Sequence, residues 1–231
     1  MMKKRKHIVF LTGAGMSVES GISTFRDSGG LWEGDDPKIV ASIEGWINFP
    51  ERVQEFYNSR RRQLENVQPN EGHIIIAELE KNFDVTIITQ NVDNLHERAG
   101  STTVIHLHGE LTKACNEKKT EVYEIGTRAI QHGEKAKDNS LLRPFIVWFG
   151  EAVPLINEAS EIISTADMVV IVGTSMQVYP AANLIYYVNK RTPIYLIDPN
   201  FVNVSQNVQI IKEKATQGLK TLKAKIYESC F

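Results

Sequence analysis

The 231-residue sequence predicts an α/β fold: a Rossmann-like, doubly wound parallel sheet with a small inserted lobe. Three observations predict this class. Short runs rich in valine and isoleucine recur, helical stretches separate them, and one polar stretch breaks the alternation. Strands covered by helices on both faces are apolar on both sides, as these runs are. The runs lie at 8–12, 85–89, 104–107, 144–149, 168–174 and 193–198.

Helical character is found between the runs, at 51–67, 72–82 and 180–191. Alternating strands and helices are typical of the doubly wound class. Residues 112–142 are polar, charged and poor in apolar runs, so we assign them to an excursion from the sheet. This excursion is either a small lobe or a flexible loop, within a single domain that spans residues 1–231.

The composition excludes several classes of function. A net charge of −2 provides no positive field for nucleic acid or anionic lipid. Only Cys115 and Cys230 are present, which argues against a disulfide framework and favours a reducing compartment. The apolar run 8–11 after the basic start is too short for a signal peptide, and no window is long enough to span a bilayer. We expect a cytoplasmic monomer with no nucleic-acid or membrane partner.

A glycine-rich turn, TGAGMSVESGISTFRDSGGLW (12–32), follows the first run. Gly13 and Gly15 stand at the carboxyl end of the predicted strand, where a pyrophosphate can approach the backbone closely. A helix beginning near Ser17 would point its amides at that anion. The third glycine of the standard dinucleotide motif is replaced by Val18, which argues against a hydride-transfer site. On these residues alone, a tight turn without a ligand remains open.

The whole of this segment resembles the signature of the sirtuins, NAD-dependent protein lysine deacylases. Four further segments resemble sirtuin blocks in the family's order: TQNVDNLHERAG (89–100), HLHGEL (106–111), RPFIVWFGEAVP (143–154) and GTSMQVYPAA (173–182). The similarity runs from about residue 8 to residue 215. It implies that the protein consumes NAD as a co-substrate and acts on acylated-lysine proteins or peptides.

Polar side chains follow directly on the run 85–89, at a carboxyl end where open α/β sheets bind ligands. Read alone, Asn91 or Asp93 is better explained as the N-cap of a helix, although capping and ligand binding can coexist. The resemblance implies that Val92 and Asp93 hold the nicotinamide carboxamide. It also implies that Gln90 and Asn91 lie beside the ribose, with Asn91 contributing to catalysis.

His106 and His108 are two residues apart on a short run and are therefore predicted to share one face of a strand. Their spacing is compatible with a pair of metal ligands, although the sequence offers no obvious third or fourth ligand. It is also compatible with two hydrogen-bonded histidines in the core. The resemblance implies that His106 is structural and that His108 is the catalytic base. In the implied reaction the acyl oxygen displaces nicotinamide and forms an alkylimidate, and neutral His108 deprotonates a ribose hydroxyl that attacks the imidate carbon. Water then releases lysine and O-acyl-ADP-ribose.

The remaining contacts are also implied by the resemblance. Phe25 shields the face that nicotinamide leaves, Arg26 lies beside the cofactor, and the strand edge from Val147 to Gly150 pairs with an extended substrate. Asp198 stands where the family usually has asparagine, and it can accept but not donate hydrogen bonds to a ribose. The implied cofactor residues are Gly13, Ala14, Gly15, Phe25, Arg26, Trp32, Gln90, Asn91, Val92, Asp93, Gly173, Thr174, Ser175, Asp198 and Ala215. The implied substrate residues are Tyr57, Arg60, Val147, Phe149 and Gly150.

The acyl preference is suggested by Tyr57 and Arg60, which are three apart and share a face of the predicted helix 51–67. An arginine fork pairs with a carboxylate, and a tyrosine hydroxyl adds a further donor. Their surroundings, EFYNSRRR, resemble sirtuins that prefer acidic acyl groups, which implies succinyl- or malonyl-lysine as well as acetyl-lysine. The alternative is a solvated basic face with Tyr57 in the core.

The family's usual zinc site is not expected in this chain. Most sirtuins hold zinc with four cysteines in the small lobe, and only Cys115 falls in that region here. One thiolate cannot complete a tetrahedral site, so we predict no zinc and a lobe that packing alone holds or that is partly mobile. Two other functions stay open, an ADP-ribosyltransferase and a non-catalytic NAD-sensing module. The presence of His108, Asn91 and Asp93 favours deacylation.

Overall fold

The computed structural model describes residues 5–24, 35–200 and 207–230, and it confirms the predicted fold class. The strands are β1 His7–Thr12, β2 Asp84–Thr89, β3 Val104–His106, β4 Gly109–Cys115, β5 Val122–Glu124, β6 Arg143–Ile146, β7 Met168–Val172, β8 Ile194–Ile197 and β9 Val208–Ile211. The helices are α1 Pro37–Val40, α2 Ile43–Asn48, α3 Pro50–Asn66, α4 Glu71–Leu79, α5 Leu95–Arg98, α6 Ile156–Ser164 and α7 Ala215–Cys230.

The main sheet has six parallel strands in the order β3-β2-β1-β7-β8-β9. From β1 the chain adds β2 and β3 on one side, and it later adds β7, β8 and β9 on the other side of β1. The strand order therefore reverses between β1 and β7, where Thr12 is level with Val172. Ligands of open α/β sheets bind at the carboxyl ends of the strands at such a switch point.

Both faces of the sheet are covered, which explains why its strands are apolar on both sides. Alternate residues of β1 point to opposite faces. Phe10 packs in one core cluster with Ile76 of α4 and Leu222 of α7. Leu11 packs in a second cluster on the other face, with Ile163 of α6 and residues of a 3₁₀ helix, Ala181–Tyr187.

Residues 112–142 form a structured lobe rather than a loop. Strands β5, β4 and β6 make a three-stranded antiparallel sheet, and a small apolar cluster that includes Ile130 and Leu142 packs within this lobe. The run 144–149 was predicted to belong to the main sheet, and this is wrong. Its strand, β6, ends at Ile146, while Ile146 and Trp148 pack against the cluster of α1, α2 and α3. The run is apolar because it faces helices.

Two buried polar side chains of α3 attach the lobe. The Asn58 amide nitrogen donates to the Ile130 oxygen, and its oxygen accepts from the Ile130 amide, each at 3.0 Å. Arg61, fully buried, donates from Nε to the Leu111 oxygen at 2.7 Å and from Nη1 to Asn58 Oδ1 at 2.6 Å. The helix that carries Tyr57 and Arg60 is thus joined directly to the lobe.

Two predicted helices have a different form, and several elements were not predicted. The prediction of a helix beginning near Ser17 is wrong. Two 3₁₀ turns, Ala14–Met16 and Val18–Ser20, occupy this stretch, and Gly21, with φ +95°, ends the second turn. The stretch 180–191 contains the 3₁₀ helix Ala181–Tyr187. Strands β4, β5 and β9 and helices α1, α2, α6 and α7 were not predicted. Within the described ranges, no helix combines the length and apolar character needed to cross a bilayer.

Candidate active site

Two glycine turns meet at the switch point of the main sheet. The Gly13 amide donates to the Val172 oxygen at 3.0 Å, and the Gly15 amide donates to the Gly173 oxygen at 2.8 Å. Gly173 has φ +60°, and a Cβ there would lie 2.4 Å from the carbonyl carbon of Gly15, so only glycine fits. The turns after β1 and β7 are therefore tied together, and the amides of Gly13 and Gly15 are used for this purpose.

The loop after β2 forms a buried polar network with the first turn. Asn91 Nδ2 donates to Ser17 Oγ at 3.2 Å, and Ser17 Oγ donates to Asp93 Oδ2 at 3.0 Å. Asp93 Oδ1 accepts the Leu95 amide, two residues further on, at 3.1 Å, as in an Asx turn, while the N-cap position of α5 is occupied by Asn94. Burial raises the pKa of Asp93, while these two hydrogen bonds act to lower it. Ser17 was not among the predicted site residues, because its role depends on a contact 76 positions along the chain.

His106 also holds the loop after β2 in place. Its Nδ1 lies 2.9 Å from the Asn91 main-chain oxygen, and its Nε2 lies 2.7 Å from Glu97 Oε1. Both partners only accept hydrogen bonds, so both ring nitrogens donate and the ring is cationic. Burial acts to lower the pKa of His106, but the hydrogen bonds and charge of Glu97 outweigh it and the pKa is raised.

His108 lies in the turn after β3, so the prediction that it shares a strand with His106 is wrong. Its Nδ1 donates to the Gln90 oxygen at 3.1 Å, because a carbonyl oxygen only accepts. Burial lowers the pKa of His108, so the ring is neutral near pH 7 with its lone pair on Nε2. Gly109 next to it has φ +83°, and a Cβ there would lie 2.0 Å from the Phe145 oxygen. Only glycine allows β6 to approach this turn so closely.

A cavity of about 670 Å³ opens at the carboxyl ends of these strands. Every described residue of the predicted cofactor and substrate sets lines it, together with His108. These residues are Gly13, Ala14, Gly15, Tyr57, Arg60, Gln90, Asn91, Val92, Asp93, Val147, Phe149, Gly150, Gly173, Thr174, Ser175, Asp198 and Ala215. Phe25, Arg26 and Trp32 lie outside the described residues. Residues as far apart in sequence as Gly13 and Ala215 thus share one cleft.

Tyr57, Arg60 and Trp148 line one part of this cavity. Tyr57 is buried, and its hydroxyl oxygen accepts from Trp148 Nε1 at 2.9 Å. Arg60 is partly buried, with its guanidinium carbon 4.9 Å from the Phe56 ring centroid. Tyr57 and Arg60 therefore reach the same cleft as His108.

The segment from Val147 to Gly150 is only partly available for pairing with a substrate strand. The Val147 amide donates to the His108 oxygen at 2.9 Å. The Phe149 amide donates to the Ala41 oxygen at 2.9 Å, and the Phe149 oxygen accepts the Ile43 amide at 3.1 Å. The amides of Val147 and Phe149 are thus already bonded within the protein.

Cys115, the one predicted lobe cysteine, is buried with its sulfur 3.8 Å from the Pro144 oxygen. Burial raises the pKa of its thiol to about 11, so the thiolate that binds a metal is disfavoured. Among residues 5–24, 35–200 and 207–230, no group of three or more His, Cys, Asp or Glu side chains is placed to hold a metal ion. The absence of zinc stays a prediction.

The fold and the cavity together define an α/β protein with a ligand cleft at the switch point of a doubly wound sheet. The model of the Sir2 family matches residues 13–180, and the chain belongs to this family. It is 53% identical to an NAD-dependent protein deacylase of Bacteroides thetaiotaomicron, over 94% of this chain and 97% of that protein. It is 52% identical to an NAD-dependent protein deacylase of Helicobacter pylori, over 96% and 98%.

Solved structures of Sir2 homologues have the same fold. A Sir2 homologue in complex with NAD superimposes with a TM-score of 0.87 at 37% identity, covering 97% of this chain and 91% of that one. A mutant Sir2 homologue in complex with ADP ribose superimposes with a TM-score of 0.89 at 37% identity, covering 97% and 93%.

Proposed function

We propose that the protein is an NAD-dependent protein-lysine deacylase in which His108 is the general base. The observation that carries the proposal is the state of His108 in the cavity. Its Nδ1–H is donated to Gln90, and burial keeps the ring neutral, so Nε2 is the free acceptor that a base requires. General-base catalysis of this kind is worth about 10²- to 10⁴-fold in rate.

The residues around the cavity fit NAD as the co-substrate. The volume lies within the range of cofactor sites, and the cleft lies at the switch point where dinucleotides bind. Asn91 and Asp93 are buried polar groups that the network with Ser17 holds in place, suited to the nicotinamide carboxamide and the ribose. With NAD bound, the acyl oxygen of the lysine would displace nicotinamide from the ribose carbon. His108 would take a proton from a ribose hydroxyl, that oxygen would attack the acyl carbon, and water would release lysine and O-acyl-ADP-ribose.

The acyl group that fits best is one with a distal carboxylate, such as succinyl or malonyl. Arg60 provides a guanidinium and Tyr57 a hydroxyl in the cavity that also contains His108. Two donors of this kind pair well with a carboxylate, whereas a neutral acetyl group offers the guanidinium no charged acceptor. The substrate is therefore an acidic acyl-lysine in a protein or peptide.

The test is to incubate the purified protein with NAD and with acetyl-, malonyl- and succinyl-lysine versions of one peptide. We expect equal amounts of nicotinamide and deacylated peptide. His108→Tyr should abolish both while the circular dichroism spectrum stays unchanged. Nicotinamide release without loss of peptide mass would indicate ADP-ribosyl transfer or NAD hydrolysis. NAD binding without any turnover would indicate the NAD-sensing module.

The acyl preference has its own test. Tyr57→Phe combined with Arg60→Met should lower activity on the succinyl peptide by at least about tenfold more than on the acetyl peptide, because charge-assisted hydrogen bonds are lost. Arg62→Met is the matched control, since Arg62 is exposed on the same helix and pairs with Glu55 at 2.7 Å. Equal losses on both peptides would contradict the carboxylate grip.

A further inference from the structure

A row of buried contacts leads from the lobe to the hydroxyl of Tyr57. Arg143 Nη1 pairs with Glu151 Oε1 at 2.9 Å, and the Arg143 guanidinium carbon lies 3.6 Å from a ring centroid of Trp148. Trp148 Nε1 in turn lies 2.9 Å from the Tyr57 oxygen. Arg143, Trp148 and Tyr57 are 1%, 2% and 5% exposed. The three side chains are therefore held in place by packing as well as by polar contacts.

The direction of the Trp148–Tyr57 hydrogen bond follows from chemistry alone. An indole nitrogen only donates, so the Tyr57 oxygen is the acceptor. A phenol accepts and donates in the plane of its ring, on opposite sides of the oxygen, so its own hydrogen is directed away from Trp148. Burial raises the pKa of Tyr57, and the hydroxyl stays protonated at physiological pH. Tyr57 also lines the cavity, and its hydrogen is the group that remains for a ligand.

We propose that Trp148 is a positioning residue that determines acyl specificity, because its indole N–H commits the Tyr57 hydroxyl to donate toward the acyl carboxylate. The inference rests on the proposed function and refines it. Without the indole donor, the hydroxyl is free to rotate and present either its hydrogen or its lone pair to the ligand. A carboxylate only accepts hydrogen bonds, so it benefits from a hydroxyl that is held as a donor.

Arg143 and Glu151 hold the indole in the required orientation. Glu151 accepts from Arg143 and, through Oε2, from Lys119 Nζ and the Trp148 amide, each at 2.8 Å. The Trp148 backbone and ring are thus fixed by the same carboxylate, directly and through the stacked guanidinium. A cation stacked on an indole face is favourable, and most so when it is desolvated as here.

The test is a double-mutant cycle of Trp148→Phe and Tyr57→Phe, with steady-state kinetics on succinyl- and acetyl-lysine peptides. Trp148→Phe keeps a ring for Arg143 and removes only the donor and part of the ring area. We expect Trp148→Phe to raise the KM for the succinyl peptide about tenfold more than the KM for the acetyl peptide, and to change kcat little. A tenfold difference corresponds to the loss of about one hydrogen bond to a charged group. In a Tyr57→Phe background it should not change this selectivity further. Trp46→Phe, 5.4 Å from Trp148, is the control and should leave selectivity unchanged.

Each contrary result has a distinct meaning. If Tyr57→Phe itself leaves succinyl activity unchanged, the carboxylate grip is wrong and this inference is wrong with it. Two other results would refute only the role of Trp148. In the first, Tyr57→Phe lowers succinyl activity, but the selectivity losses of Tyr57→Phe and Trp148→Phe multiply in the double mutant. In the second, Trp148→Phe lowers succinyl and acetyl activity equally. An NMR measurement supplements the cycle. The ¹⁵N-indole NMR signal that remains after Trp32→Phe and Trp46→Phe should shift on Tyr57→Phe, and an unmoved signal would overturn the proposal.

Discussion

The Nδ1–H of His108 is bonded to the main-chain oxygen of Gln90, 3.1 Å away, on the loop that follows β2. This single contact sets which nitrogen of the imidazole carries the proton and leaves Nε2 as the acceptor. The loop itself is held by His106 through the Asn91 oxygen. Two histidines two positions apart thus have different charge states and different tasks: His106 is cationic and supports the loop, and His108 is neutral and suited to be a base.

The rate should depend on pH through His108. Burial lowers its pKa below the ordinary value of 6.5, so the neutral form persists to lower pH than that of a free histidine. We expect kcat/KM to fall as pH decreases, with a midpoint below pH 6.5. Steady-state assays across this range measure it, and circular dichroism at each pH checks that the fold is intact. A midpoint above 6.5 would contradict the assignment of His108 as the base.

Replacing Ser17 with alanine should weaken both the fold and the NAD site. The Asp93 carboxylate would lose a donor and the Asn91 amide an acceptor, and both side chains are buried. We expect a loss of about 1–3 kcal/mol in the free energy of unfolding and a raised KM for NAD. Urea unfolding and NAD titration measure these effects. Ser164→Ala, where an exposed hydroxyl bonds to the Glu161 oxygen, should change neither.

Stability should decrease in mild acid because of His73 and His96. Their rings lie 4.8 Å apart and are buried; burial lowers the pKa of His73 to about 4 and that of His96 well below its ordinary value. Below about pH 6.5 the unfolded chain binds protons that the folded chain does not. The free energy of unfolding should therefore decrease from about pH 6.5 to about pH 4, by about 3 kcal/mol from His73 alone.

Urea unfolding at a series of pH values measures this dependence. His73→Gln should reduce its slope over the same interval, whatever its effect on stability at neutral pH. His132→Gln is the matched control, because the side chain of His132 is 76% exposed. A slope that is the same in wild type and His73→Gln would mean that other groups cause the loss of stability.

The attachment of the lobe should depend on Asn58. Asn58→Ala leaves the amide and the oxygen of Ile130, and one nitrogen of Arg61, without their partner in a buried interface. We expect destabilisation by at least about 2 kcal/mol and faster amide hydrogen exchange within residues 122–142. Asn66→Ala, at the exposed end of α3, should leave exchange in the lobe at the wild-type rate. Exchange that speeds up evenly across the whole chain would argue against a local role.

Removal of metal should leave the protein intact. The lobe has the Asn58–Ile130 pairing and its own apolar cluster, and its cysteine is buried with a raised thiol pKa. We therefore expect an unchanged melting temperature after dialysis against a strong chelator, and no zinc in the purified protein by elemental analysis. A lower melting temperature that zinc restores would show that a structural metal is present.

The main sheet was predictable because each of its strands is a short continuous run of the sequence, and because helices cover both faces of the sheet. Runs such as 85–89 and 168–174 are apolar on both sides, and the strands β2 and β7 form there. The run 144–149 has the same appearance but contacts helices and the lobe, and apolarity does not tell a sheet neighbour from a helix. Strand β9 was missed because Gln209 and Ile210 are exposed at the edge of the sheet.

The candidate site also has features that the sequence indicated and features that only the tertiary structure showed. The sequence by itself determined which chemical groups follow the strands: glycines after β1, an amide and a carboxylate after β2, and a histidine with glycine after β3. It also indicated Tyr57 and Arg60 on one helix face, because that spacing is local. Only the tertiary structure decided that Ser17 supports Asp93 and that Trp148 donates to Tyr57. Such contacts join residues 76 and 91 positions apart, and their geometry depends on how the sheet, the helices and the lobe pack together.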